Sequence, residues 1–173
     1  MRVTQLMVIL LSGLALAGCP KKQTTLPDAS NPTDQSSSTE TGPTSDTSVG
    51  ATDANQALLQ SAKQAGTVIY FEYDRAEIKP EFVPIVAAHA KYLNAANTNK
   101  VRLEGHSDER GSREYNIGLG ERRAQAVRRA LMLQGVTEAQ ITTVSYGEER
   151  PAVQGSDESA YAKNRRVELV YGR

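Results

Sequence analysis

Three hydrophobic patterns succeed one another along the chain. Leu6 to Leu16 is almost wholly apolar, residues 20–56 are almost wholly polar, and from Gly66 onward apolar positions recur with the periods of regular secondary structure. In this last stretch the β-branched and aromatic run Thr67-Val68-Ile69-Tyr70-Phe71 predicts a strand. Phe82, Ile85, Val86, His89 and Leu93 follow at spacings of three and four and predict a helix opened by Pro80. Pro84 is costly deep in a helix and harmless in its first turn, which moves the expected start toward Phe82. Val101, Leu103 and Gly105 alternate with Arg102, Glu104 and His106, the period of a strand with one polar face. Ser107 to Ser112 holds no apolar residue and reads as a loop. Leu119, Ala126, Val127, Ala130 and Leu131 mark the inner stripe of a long second helix that ends before Gly135. Gly118 and Gly120 weaken the start of that helix, and their presence implies close backbone contact there. Ile141–Tyr146 gives a third strand, and Val167, Leu169 and Tyr171 the buried face of a fourth. The order β-α-β-α-β-β predicts an α+β fold, a two-layer sandwich with helices on one face of a mixed four-stranded sheet. Strand order is not contained in the pattern.

The apolar run near the start, about 11 residues, is too short to span a bilayer, which takes roughly 20. With Arg2 before it and small residues after it, it reads as a secretory signal. Leu16-Ala17-Gly18-Cys19 resembles the bacterial lipobox, in which the signal is cut before the cysteine and the cysteine is acylated. By that resemblance residues 1–18 are a signal peptide, Cys19 is lipidated, and several acyl chains give stable membrane anchoring. Pro20 is not the aspartate that resembles an inner-membrane retention signal, which points to the outer membrane. From Pro20 to Gln56, 25 of 37 residues are Ser, Thr, Pro, Gly, Asn or Gln, too few apolar groups to offset the entropy of ordering. Residues 19–65 are therefore expected to form a lipidated, disordered linker, able to reach about 150 Å at full extension. Within it only Ala54–Ala65, with Leu58, Leu59 and Ala62, has the spacing of a short amphipathic helix. Residues 66–173 are the predicted folded domain.

Composition narrows the function. Lys+Arg and Asp+Glu are balanced at 20 each, so no general basic surface suits nucleic acid. The single cysteine removes any intrachain disulfide and any multi-cysteine zinc site. Two histidines 17 positions apart do not suggest a metal centre, and no glycine loop of phosphate-cradling type follows a strand; no cofactor is expected. The run His106-Ser107-Asp108 is not read as a hydrolytic triad, because consecutive residues at a strand end alternate in direction. His89, on an apolar helix face, is expected to be a packed residue, and Arg122, Arg128 and Arg129 to be surface charges.

Two charged positions suggest a site. Asp108 lies in the loop leaving the second strand, where ligands of open α/β layers commonly bind. Arg123 follows 15 positions later, early in the next helix, close enough for a compact loop to bring the two together. A carboxylate and a guanidinium around a gap match a ligand carrying an ammonium and a carboxylate on one carbon. On spacing alone, Asp108 as a turn or capping residue and Arg123 as a solvated helix charge are the commoner readings.

The runs Gly105-His106-Ser107-Asp108-Glu109-Arg110-Gly111-Ser112, Arg113 to Ala124, Ser145-Tyr146-Gly147-Glu148-Glu149-Arg150-Pro151 and Lys163-Asn164-Arg165-Arg166-Val167 resemble the OmpA C-terminal-like domain family across residues 67–173. The resemblance implies a peptidoglycan-binding domain and no enzyme. By it, the residues at Asp108 and Arg123 hold the diaminopimelate side-chain centre of uncrosslinked stem peptides. Asp74 matches the loop after the first strand, and Asn116 and Leu119 match positions bordering the site. Ser107 stands where many members carry threonine, and Gly118 where a small helix former is commoner; Arg165 and Arg166 belong to the fold. The resemblance further implies an outer-membrane lipoprotein with its domain in the periplasm, tethering membrane to wall in the Tol–Pal system with the β-propeller protein TolB as partner. The alternative from another class is a cell-wall amidase or peptidase acting on stem peptides.

Overall fold

The computed structural model describes residues 47–172. The expected signal 1–18, the expected lipidation of Cys19 and the expected linker as far as residue 46 lie outside the described residues. The elements are α1 (Thr47–Ala65), β1 (Val68–Tyr70), a 3-10 turn (Pro80–Phe82), α2 (Val83–Ala95), β2 (Val101–His106), α3 (Arg113–Leu133), a second 3-10 turn (Glu138–Gln140), β3 (Ile141–Gly147), α4 (Glu158–Asn164) and β4 (Arg166–Val170). Pro84 falls in the first turn of α2, the one place where its missing N–H costs nothing.

The linker expectation is corrected at its C-terminal end. Residues from Thr47 onward form a 19-residue helix, not disordered chain. Its cause is a narrow apolar stripe: Ala62 is fully buried in the core, and Leu58 and Leu59 pack against it. Asn55 and Asn99 exchange reciprocal amide hydrogen bonds of 3.0 and 2.8 Å across the same contact. The helix ends at Gly66, which takes φ +121° and brings its backbone against Ile85. The short helix α4, capped by the Asp157 side chain on Ala160 N, lies between β3 and β4, where the sequence pattern predicted only a connection.

The sheet is mixed, as expected, in the order β1-β4-β2-β3. β2 and β3 are parallel, with α3 as the crossover between them, while β4 runs antiparallel to both β1 and β2. Fully buried Ile69, Leu103 and Val167 from the strands meet Val86, Leu93, Val127 and Leu131 from α2 and α3. Burial of each such side chain contributes roughly 1.5–3 kcal/mol. Helix α3 crosses the sheet at backbone contact: a Cβ on Gly105 would stand 2.0 Å from Gly120 O. That closeness explains Gly105, and Gly120 as well, where a Cβ would stand 2.9 Å from Gly105 O. Gly118 has no such neighbour, since a Cβ there would meet only Arg122 Nη1 at 3.4 Å.

This topology sets up one end of the sheet. β1, β2 and β3 all point the same way, so the segments after Tyr70, His106 and Gly147 emerge together, beside the start of β4 at Arg166.

Candidate ligand-binding site

A cleft of about 240 Å³ opens at that end, lined by Tyr73, Asp74, Asp108, Arg110, Gly111, Tyr115 and Leu119. It continues past Tyr73, Asp74 and Leu119 into a wider groove beside Arg75, Glu77 and Arg122. The loop 107–112 forms one wall. Its first residue prolongs the sheet through Ser107 N donating to Gly147 O at 2.9 Å. Its last residue, Ser112, caps α3 by accepting from Tyr115 N at 3.2 Å. The segment 71–75 forms the other wall. Asp74 sits there in the left-handed region at φ +55°, which aspartate tolerates better than most residues, and accepts a hydrogen bond from Tyr115 Oη.

Asp108 is 4% exposed and lines the cleft. Arg110 donates to it from Nη2 at 2.6 Å and from Nε at 3.3 Å, and Arg165 from Nη1 at 3.3 Å. Burial works to raise the Asp108 pKa, but the Arg110 and Arg165 hydrogen bonds prevail and hold it below the usual aspartate value. Arg165 is fixed from three sides, donating also to Phe71 O at 3.1 Å and pairing with Glu158 at 2.7 Å.

Arg123 lies beneath the cleft. It is fully buried, on the same stripe of α3 as Asn116, Leu119, Val127 and Leu131. Its Nε donates to Arg75 O at 2.8 Å, Nη1 to His106 O at 2.8 Å and Nη2 to Glu72 O at 3.1 Å. It thereby ties both walls of the cleft to one helix. Those bonds use three of the five N–H groups of a guanidinium, leaving one on each Nη. Among the described residues no carboxylate stands within ion-pair distance of it. Burial lowers its pKa to about 10, with the Asp108 charge opposing that shift, so the group is still a cation at neutral pH.

Of the residues the sequence singled out, Asp74, Asp108 and Leu119 line the cleft together. Arg123 supports it from below. Asn116 stands behind the wall, with Nδ2 donating to Glu148 and Oδ1 buried near Gly111. Sequence reasoning missed Arg110, Tyr73 and Tyr115 as lining residues. The signal available for Arg110 was its place two residues after Asp108 in an apolar-free loop, the spacing at which a side chain folds back on its neighbour. Ser107 Oγ is buried with no hydrogen-bond partner, so His106, Ser107 and Asp108 form no nucleophile–base relay. His89 is the packed residue expected, bonded to Tyr171 Oη at 2.5 Å and Gly66 O at 2.7 Å.

The fold is that of a small α+β domain with a cleft at one end of its sheet, and residues 70–165 match the OmpA family. The chain belongs to that family. The "Peptidoglycan-associated lipoprotein" of Pseudomonas putida is 58% identical over 110 residues, covering 64% of this chain and 66% of that protein, just under two thirds of its length. The protein of the same name from Mesorhizobium japonicum is 34% identical over 165 residues, covering 93% of this chain and 88% of its own length. Among solved structures, the peptidoglycan-associated lipoprotein from Burkholderia pseudomallei shares 42% identity with a TM-score of 0.61, over 62% of this chain and 92% of that one.

Proposed function

We propose that this chain is an outer-membrane lipoprotein that grips peptidoglycan noncovalently through the diaminopimelate of stem peptides and so tethers the outer membrane to the wall. The observation that carries this reading is Arg123: a fully buried guanidinium held by carbonyl dipoles, with no carboxylate partner among the described residues. A buried cation without a counter-ion is costly. A ligand carboxylate in the cleft above Arg123 supplies the missing opposite charge, while the ligand ammonium meets Asp108 on the cleft wall. Diaminopimelate carries both groups on one carbon. The names of the relatives agree with such a ligand, and the M. japonicum match leaves out 7% of this chain, fewer residues than precede Cys19, so it includes the lipobox region. Membership of the Tol–Pal system and competition by TolB for the same surface belong to this proposal.

Asp108→Asn keeps the shape of the side chain and removes its charge. It should reduce sedimentation with purified peptidoglycan by roughly 30-fold or more, because a charge pair broken at a desolvated site costs about 2–5 kcal/mol. Undiminished sedimentation of a folded Asp108→Asn protein would exclude the site. Arg123→Ala is a poorer probe than the sequence suggests, since it also releases three backbone carbonyls and unties the walls.

A further inference from the structure

Resting on that reading of the cleft, we infer that Arg110 is a built-in competitor for the ligand's ammonium, parked on Asp108 when the site is empty and displaced toward Glu158 when it is filled. A carboxylate offers about four lone-pair sites. On Asp108 all four are taken: Oδ1 accepts from Arg110 N at 3.2 Å and Nε at 3.3 Å, and Oδ2 from Arg110 Nη2 at 2.6 Å and Arg165 Nη1 at 3.3 Å. An incoming ammonium must therefore remove a donor before it can bind. Arg165 cannot yield, because its side chain is 6% exposed and anchored to Phe71 O and Glu158. Arg110 can. Its side chain is 33% exposed, and a second carboxylate already stands within reach, Glu158 Oε2 at 3.4 Å from Nη1. The guanidinium also lies between two aromatic faces, with Tyr73 at 4.1 Å and Tyr161 at 4.5 Å from its central carbon. Stacking of this kind tolerates sliding, so the cation can exchange one carboxylate for the other without leaving the rings.

The consequence is selectivity. Only a ligand whose ammonium outcompetes the two-point contact of the Arg110 guanidinium opens the cleft, and a ligand carboxylate near Arg123 supplies the additional affinity that a simple amine lacks. Grip strength then depends on the balance between Asp108 and Glu158 as stations for Arg110.

The test is calorimetric titration of the full chain with a diaminopimelate-containing tetrapeptide, comparing wild type with Arg110→Met, Glu158→Gln and Asp108→Asn after thermal melts establish that each is folded. Arg110→Met should bind roughly tenfold tighter, and Glu158→Gln, which removes the second station, several-fold more weakly. Weaker or unchanged binding by Arg110→Met would overturn the inference, the former marking Arg110 as a direct ligand contact. Should Arg110→Met fail to fold, unchanged or tighter binding by Glu158→Gln has the same force. Equal affinity of Asp108→Asn and wild type would instead bring down the cleft reading itself.

Discussion

At the scale of single residues, the site is built from charges that burial would forbid without partners. Asp108 has two arginines, Arg165 has a carboxylate on each side, and Arg123 has only carbonyls. His106, 2% exposed at the foot of the same loop, shows the complementary case. Burial first, and then the Arg166 guanidinium, lower its pKa from 6.5 to about 4, so the folded state holds it neutral. A group whose pKa falls on folding contributes stability that is complete above its unfolded value and lost as pH drops toward the folded one. Urea midpoints should therefore decline as pH falls from about 6.5 toward about 4, with His106→Phe flattening part of that decline. Asp108 was legible in the sequence as a residue of an apolar-free loop after a strand, where turn or capping duty is the commoner reading on spacing alone, and the family resemblance singled it out. Arg123 was legible only through the family resemblance: spacing alone gives a charge on a helix. Its place on the buried stripe emerges only once α3 is seen to cross β2 with Gly120 against the sheet.

At the scale of elements, glycine decides how α3 meets the sheet. A Cβ on Gly120 would lie 2.4 Å from Ser145 Oγ and 2.9 Å from Gly105 O. Gly120→Ala should therefore cost about 3 kcal/mol or more through forced separation of helix and strand. Gly118→Ala should stabilise by about 0.5–1 kcal/mol, the ordinary gain for alanine over glycine within a helix. Urea denaturation of the two variants separates positions that the sequence treats alike. The strands and α2 and α3 were readable from periodicity because each spans enough residues to repeat its pattern. Helix α4, seven residues long, is too short to show one, and its existence rests on the Asp157 cap and on Arg165 beyond its end. Most of α1 was hidden for a different reason: the polar composition of residues 47–57 outweighs a stripe of three apolar side chains unless the groove that receives it is known. Removing every residue before Gly66 should cost on the order of 2 kcal/mol, from the lost burial of Leu58, Leu59 and Ala62, as read by the shift in urea midpoint.

At the scale of the whole molecule, the helix α1 shortens the reach expected of a fully extended linker. The 19 residues of α1 advance only about 1.5 Å each, so α1 spans about 28 Å where a fully extended chain of its length would span about 65 Å. Among the described residues no helix is long and apolar enough to cross a membrane; the proposed attachment is through Cys19. Cys19→Ser should accordingly move the protein from the membrane fraction to the soluble periplasmic fraction while leaving its peptidoglycan affinity in solution unchanged. The central claim concerns what the cleft holds at the end of the sheet, and a paired titration addresses it directly. A stem peptide containing diaminopimelate is compared with its lysine counterpart, which keeps the ammonium and lacks the neighbouring carboxylate. Saturable binding of the first, with the second weaker by roughly 100-fold, is the expected result, since Arg123 would otherwise stay without its counter-ion. Equal affinity for the two peptides would contradict a site built to complete that buried cation.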